Sequence, residues 1–292
     1  MIVPRLVACN IYISSTRPWL LSLLDIKLED AVLVHAYADP VYDRSSLHLC
    51  GTPPAIVAAA TEMASRAMQE LRQSPTTALA QDAHPTVGPV DHIAVLPLVE
   101  DEPTDIDDET GWTAREIGSH LQRQHDDLQV LYYGAADPDH TPLATVRRTQ
   151  TAFFRSTPPD LSTNVCTIGA PPHFVENFNI HVQGVTRSEA RALTRMIRQP
   201  DLVEALTLPY RNGWEVACNL LQPTTVDATQ LQTVVNEWQA DHPHATVVRA
   251  YRVGTTAAQC RAAWDHRSAP RVMEEFRQQL LPGATPPTPT LQ

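Results

Sequence analysis

The stretch Asp82-Ala83-His84-Pro85-Thr86-Val87-Gly88-Pro89-Val90-Asp91-His92 runs straight into the apolar residues Ile93 to Val99. It holds a histidine in a stiff turn at the entrance to a strand. Imidazole ionises close to neutral pH, so His84, fixed by the proline after it and by a glycine-containing turn, has the chemistry of a general base or acid. The alternative is a polar residue on a surface loop. The five cysteines, Cys9, Cys50, Cys166, Cys218 and Cys260, are odd in number and far apart, with no Cys-x-x-Cys spacing. They read as buried thiols in a reducing compartment, three of them inside apolar strand-like runs, and no metal site is assigned. Asp105, Asp107 and Glu109 invite a calcium reading. Their loop lacks the turn glycine and the distal glutamate of an EF-hand, so it reads as a solvated loop.

A turn of this kind works only if a scaffold holds it. With 292 residues the chain is long enough for two domains or for one built of two similar halves. Its 33 acidic against 22 basic side chains give a net charge of -11, which argues against a nucleic-acid surface because phosphate neutralisation needs clustered Lys and Arg. No run approaches the length that spans a bilayer, and Met1 to Ser15 resembles neither a signal nor a transit peptide. The expectation is a cytoplasmic protein with no membrane partner.

Hydrophobic periodicity orders the first half as strand Leu6 to Ile13, short helix Pro18 to Ile26, strand Ala31 to Tyr37, strand Leu47 to Cys50, a long helix capped at Thr52-Pro53, and strand His92 to Val99. In the long helix, which runs to Leu71, Ile56, Ala60, Met63 and Met68 fall roughly on one face. An extension follows, with an acidic loop Glu100 to Glu109, a helix from about Thr113 to Gln124 and a strand Gln129 to Tyr133. After a linker near Pro158-Pro159 the order recurs. Phe178, Ile180 and Val182 alternate with Asn177, Asn179 and His181 as a half-buried strand. Thr186-Arg187-Ser188-Glu189 forms a capping box for a helix to Arg198. Leu202 to Leu208 and Trp214 to Leu221 make a hairpin over Arg211-Asn212-Gly213, Asp227 caps a helix through Trp238, and Thr246 to Val253 closes the set. The fold class is α+β, two ferredoxin-like βαββαβ subdomains with helices packed on the sheets and a cleft between them. Expected boundaries are 1–160, 161–278 and a disordered Pro/Thr-rich tail at 279–292.

Four blocks occur in order: Asp39-Pro40-Val41-Tyr42-Asp43-Arg44; His84-Pro85 to Asp91; Leu131-Tyr132-Tyr133-Gly134-Ala135-Ala136; and Thr167-Ile168-Gly169-Ala170 followed by Phe178-Asn179-Ile180. With them, about Val7 to Tyr251 resembles the formiminotransferase domain of formimidoyltransferase-cyclodeaminase, and is most similar to the plant-type formiminotransferase-like proteins. The resemblance implies transfer of a formimino group from N-formimino-L-glutamate to N5 of tetrahydrofolate, the co-substrate. It implies His84 as the catalytic histidine of a His-Pro-x-x-Gly-x-x-Asp motif completed by Pro85, Gly88 and Asp91, with Asp39 as the nearest match to the family's catalytic aspartate. Asp43, Arg44, Thr167, Gly169 and Ala170 are implied in folate or substrate binding, and a homodimer is implied as the assembly.

Two positions depart from the family pattern. Asp43 stands where asparagine is usual; it either neutralises a charge meant for substrate or pairs with Arg44. Pro171 stands where bifunctional members carry an arginine after Gly-Ala, which removes a carboxylate-binding guanidinium unless His173 or Arg44 compensates. The expectation is that the second, cyclodeaminase reaction is not performed, since no such helical region is read after Tyr251. The alternative to a transferase is a folate-binding or regulatory protein that keeps the fold without catalysis, and a scaffold with an empty cleft is a third reading.

Overall fold

The computed structural model describes residues 5–73, 84–98, 106–151, 164–267 and 271–281, the side chains of 106–108 excepted. The Pro158-Pro159 linker, residues 82 and 83, most of the acidic loop and the Pro/Thr-rich tail from 282 lie outside the described residues. Two compact units emerge. The first takes 5–73, 85–98, 106–151, 164–172, 257–267 and 271–281; the second takes residue 84 and 173–256.

The first unit contains β1 (Val7–Ile13), a 3₁₀ helix (Pro18–Asp25), β2 (Ala31–Asp39), β3 (Arg44–Gly51), α1 (Pro53–Gln73), β4 (Val90–Pro97), α2 (Ile106–Gln124), β5 (Gln129–Gly134), α3 (Leu143–Gln150) and β6 (Val165–Ala170). Its sheet has the order β2-β3-β1-β4-β6-β5. The first four strands are antiparallel neighbours in ferredoxin-like order, and β6 then pairs parallel with both β4 and β5. The apolar residues that alternate along β1, Val7, Cys9, Ile11 and Ile13, meet Ile56, Ala60, Met63 and Met68 of α1 and Ile117 and Leu121 of α2 in one core. That leaves the opposite face of the sheet to polar and aromatic side chains.

The second unit contains β7 (Glu176–Gln183), α4 (Arg187–Ile197), β8 (Val203–Tyr210), β9 (Gly213–Leu220), α5 (Ala228–Asp241) and β10 (Thr246–Arg252), with sheet order β10-β7-β9-β8. It is a complete ferredoxin-like unit. Phe178, Ile180 and Val182 point to its core with Leu193, Leu231 and Trp238, while Asn177, Asn179 and His181 take the other face, as the alternation predicts. Both helices carry reciprocal capping boxes, Thr186 with Glu189 and Asp227 with Gln230.

The expected boundary at residue 160 differs from this arrangement. β6 follows it in the chain but completes the first sheet, and two further helices, α6 (Ala257–His266) and α7 (Val272–Gln279), pack on β2 of the first unit. The Gln279 side chain accepts a hydrogen bond from the Ala38 amide at 2.7 Å, and Phe276 and Leu280 enter the first core. α2 also begins at Ile106, about two turns before the predicted start near Thr113, so the last residues of the acidic loop are helical. All five cysteines are buried and unbridged, and no helix among the described residues is long and apolar enough to cross a membrane.

Candidate functional site

Asp91 is the organising residue of the polar face of the first sheet. Between β1 and β4 the register slips: Tyr12 lies opposite His92 and Ile13 opposite Val90, so Asp91 is the extra residue of a β-bulge. In a regular strand, neighbours point to opposite faces. The bulge instead turns the Asp91 carboxylate toward groups on the same side as His92.

That carboxylate is fully buried and multiply held. Oδ1 accepts the Val87 amide at 2.8 Å, while Oδ2 receives Arg44 Nη2 from β3 at 2.5 Å and Arg147 Nη2 from α3 at 2.9 Å. Burial alone opposes its ionisation; the Arg147 and Arg44 guanidiniums, with the Val87 N–H, overcome that and hold its pKa far below the ordinary carboxylate range. Arg147 Nη2 also reaches Thr167 Oγ1 at 3.4 Å, and Thr167 donates its hydroxyl to the Asp91 carbonyl at 2.9 Å. Asp91 thus ties β3 and α3 to the turn that follows His84 through its carboxylate, and β6 through its backbone carbonyl.

The turn is built on the same groups. Arg44 Nη1 donates to the Pro85 carbonyl at 3.3 Å. Ser14 donates to the Gly88 carbonyl at 2.8 Å and lies 2.7 Å from the Thr86 hydroxyl, and its amide bonds the Pro89 carbonyl. Gly88 has no room for a side chain, since a Cβ there would sit 2.1 Å from the Val165 carbonyl of β6. Pro85, Gly88 and Asp91 of the His-Pro-x-x-Gly-x-x-Asp motif therefore each have a structural task in the turn. His84, half-buried, stands at its start.

An aromatic row continues from the bulge. The His92 ring stacks on Tyr12 with centroids 5.3 Å apart and bonds the Tyr133 hydroxyl through Nε2 at 2.8 Å. Burial, then the nearby Arg147, pushes the His92 pKa well down, and Asp91 offsets this only in part, so the ring is neutral at neutral pH. The Arg44 guanidinium lies 5.4 Å from the Tyr12 ring centre. Farther along the face, His48 bonds Ser46 Oγ at 3.0 Å and packs edge-on to His35.

The other expected site residues fall into distinct settings. Asp39 is buried at the end of β2, opposite Arg44 across the hairpin; its Oδ1 accepts the Val41 amide at 2.9 Å, and Tyr37 OH lies 3.4 Å from Oδ2. Asp43 forms no ion pair with Arg44: a single oxygen, Oδ1, accepts both the amide and the hydroxyl of Thr16, at 2.7 and 2.8 Å. Asp43 also has φ of 48°, a left-handed conformation that asparagine and aspartate tolerate best among side-chain-bearing residues. An asparagine carbonyl could do the same work, which accounts for the exchange.

Thr167 and Gly169 lie on the polar face. A Cβ on Gly169 would meet the Tyr133 carbonyl at 2.3 Å and its ring at 2.4 Å, so the glycine lets Tyr133 lie flat against the strand. Ala170 does not join them. Its side chain belongs to the helix-side core, and its carbonyl accepts the Ala135 amide. Arg147 escaped the sequence reading: the helix that carries it is short, and its one start signal was Thr141-Pro142 ahead of Leu143.

Residues 6–186 match the family model described as formiminotransferase domain, N-terminal subdomain. A formiminotransferase cyclodeaminase-like protein of Arabidopsis thaliana is 24% identical over 276 residues, covering 80% of this chain and 88% of its own. Among solved structures, a microcompartment protein from Desulfitobacterium hafniense DCB is 12% identical with a TM-score of 0.23 and covers 88% of this chain and 99% of its own; a pitrilysin is 9% identical with a TM-score of 0.19, covering 91% and 38%. Neither of these carries an argument about fold or function. The family match spans the whole bulge, turn and hairpin just described, and the chain belongs to the formiminotransferase domain family.

Proposed function

We propose that this protein transfers a formimino group from N-formimino-L-glutamate to tetrahydrofolate. The observation that supports it most is the turn after His84, in which the other three motif residues all serve to hold the backbone beside the imidazole. In this reading His84 takes the proton from N5 of tetrahydrofolate as that nitrogen attacks the amidine carbon. The new N5–C bond forms, the bond from carbon to the glutamate nitrogen breaks, and His84 returns the proton to the departing nitrogen. Asp39 is the proposed second catalytic group, a carboxylate that stabilises the positively charged amidine. Acid–base assistance of this kind is worth about 10²–10⁴-fold in rate.

A second reading has its own support. By the resemblance, Pro171 stands where bifunctional members carry an arginine, and lack of that guanidinium weakens recognition of a glutamate carboxylate. A folate-binding protein without transfer activity fits that substitution. The test is release of glutamate from N-formimino-L-glutamate in the presence of tetrahydrofolate, with wild type and His84→Ala. Turnover that disappears in the variant supports the transferase; tetrahydrofolate binding without turnover in the wild type supports the second reading.

A further inference from the structure

We propose that Asp91 and Arg44 form a clamp that sets the position of the His84 imidazole, so that both act as positioning residues for the reaction. The inference rests on the transferase reading for its kinetic consequence but on geometry for the clamp itself. Arg44 touches both ends of the turn. Its Nη1 holds the carbonyl of Pro85, the residue bonded to His84, and its Nη2 holds Asp91 Oδ2. Asp91 Oδ1 in turn holds the Val87 amide, two residues past Pro85. Backbone groups on both sides of Thr86 are thereby pinned to one buried ion pair.

The pair is itself anchored away from the turn. Arg147 on α3 takes the other bond to Oδ2, and Thr167 on β6 bonds the Asp91 carbonyl. Asp91 is at a bulge, where the chain departs from regular pairing, so nothing in the strand ladder would fix its direction without these partners. A planar guanidinium can reach two acceptors in fixed directions, which an ammonium on a flexible stem cannot. The Arg44 guanidinium is therefore spent on holding the turn. A misplacement of an acid–base group by about 1 Å can cost about a hundredfold in rate.

The test uses full-length protein and two variants. Asp91→Asn can still accept the Val87 amide but offers its NH₂ group to two guanidiniums; Arg44→Lys keeps a charge for Asp91 and gives up the simultaneous hold on Pro85. The first readout needs no substrate: the His84 ring ¹H–¹³C resonance and the exchange rate of the Val87 amide. Both variants are expected to move or broaden the His84 signal, and Asp91→Asn to speed Val87 exchange by about tenfold or more, because an amide group facing two guanidiniums no longer holds the side chain in place and the bond to Val87, though chemically available, opens more often. The second readout is kinetic, a fall in kcat of about ten- to a hundredfold with KM for tetrahydrofolate nearly unchanged. An unchanged His84 signal in a folded variant overturns the clamp, as does an equal rise in KM with kcat preserved. If Asp91→Asn does not fold, Arg44→Lys decides by the same readouts. A wild-type protein with no turnover overturns the transferase reading alone, because the resonance still reads the clamp.

Discussion

Replacing Arg147 with methionine is the sharpest probe of the buried charge cluster. Methionine keeps much of the apolar stem and removes the charge together with the bonds to Asp91 Oδ2 and Thr167 Oγ1. Asp91 keeps two charge-assisted partners, Arg44 and the Val87 amide, so its charge is not orphaned. The cost is therefore near that of one charged hydrogen bond, about 1.5–3 kcal/mol, and below the roughly 3–5 kcal/mol of leaving a buried charge unpaired. Urea unfolding at neutral pH measures it. The pH dependence is a second check. The folded-state pKa of Asp91 is depressed, so its contribution is complete above the unfolded value of about 4 and is lost as pH falls toward the folded one. Arg147→Met raises the folded value, so acid unfolding starts at higher pH. An acid transition at the wild-type pH, or a neutral-pH loss under about 0.5 kcal/mol, would refute the reasoning, since a change that small is what a surface site gives.

Other sites give independent checks. Gly169→Ala forces a methyl group against the Tyr133 backbone and ring, and is expected to cost about 1–3 kcal/mol in urea unfolding; a neutral result contradicts the close approach. Tyr133→Phe strips His92 Nε2 of its partner, with an expected loss of about 1–3 kcal/mol. His92 is held neutral by burial, so stability should also decline as pH drops through its unfolded value of about 6.5, a limb absent from His92→Gln. Thr186→Ala removes the capping box of α4 and should cost about 1 kcal/mol, read from thermal or urea unfolding.

Much of the scaffold is legible in the residues themselves. β1 and β7 alternate cleanly because one face of each sheet is apolar and the other polar, and α4 and α5 announce their starts through Thr186-x-x-Glu189 and Asp227-x-x-Gln230. β6 is different. Sequence reading assigns no strand there and sets the start of a new half at the proline-rich segment before it; only the parallel pairing of β6 with β4 and β5, a long-range property, shows that it belongs to the first sheet. α6 and α7 lie late in the chain and pack on an early strand for the same reason. At the site, the motif reveals His84 and Asp91 but not what the bulge does: the core-facing Val90, Ile93 and Val95 break the period of two by one residue at Asp91-His92, yet the partners that receive the turned carboxylate lie far away in the chain. Arg147 reaches Asp91 from 56 residues away, a distance over which local sequence carries no signal.

The most direct test of the account is calorimetric titration of the full-length protein with tetrahydrofolate under reducing conditions, in wild type and His84→Ala. Folate recognition is common to the transferase and the binding-only readings, so it comes before any assay of transfer. The account predicts saturable one-site binding by the wild-type protein, with the site retained in the folded variant. No heat of binding well above cellular folate concentrations would contradict it and leave only the shared family fold.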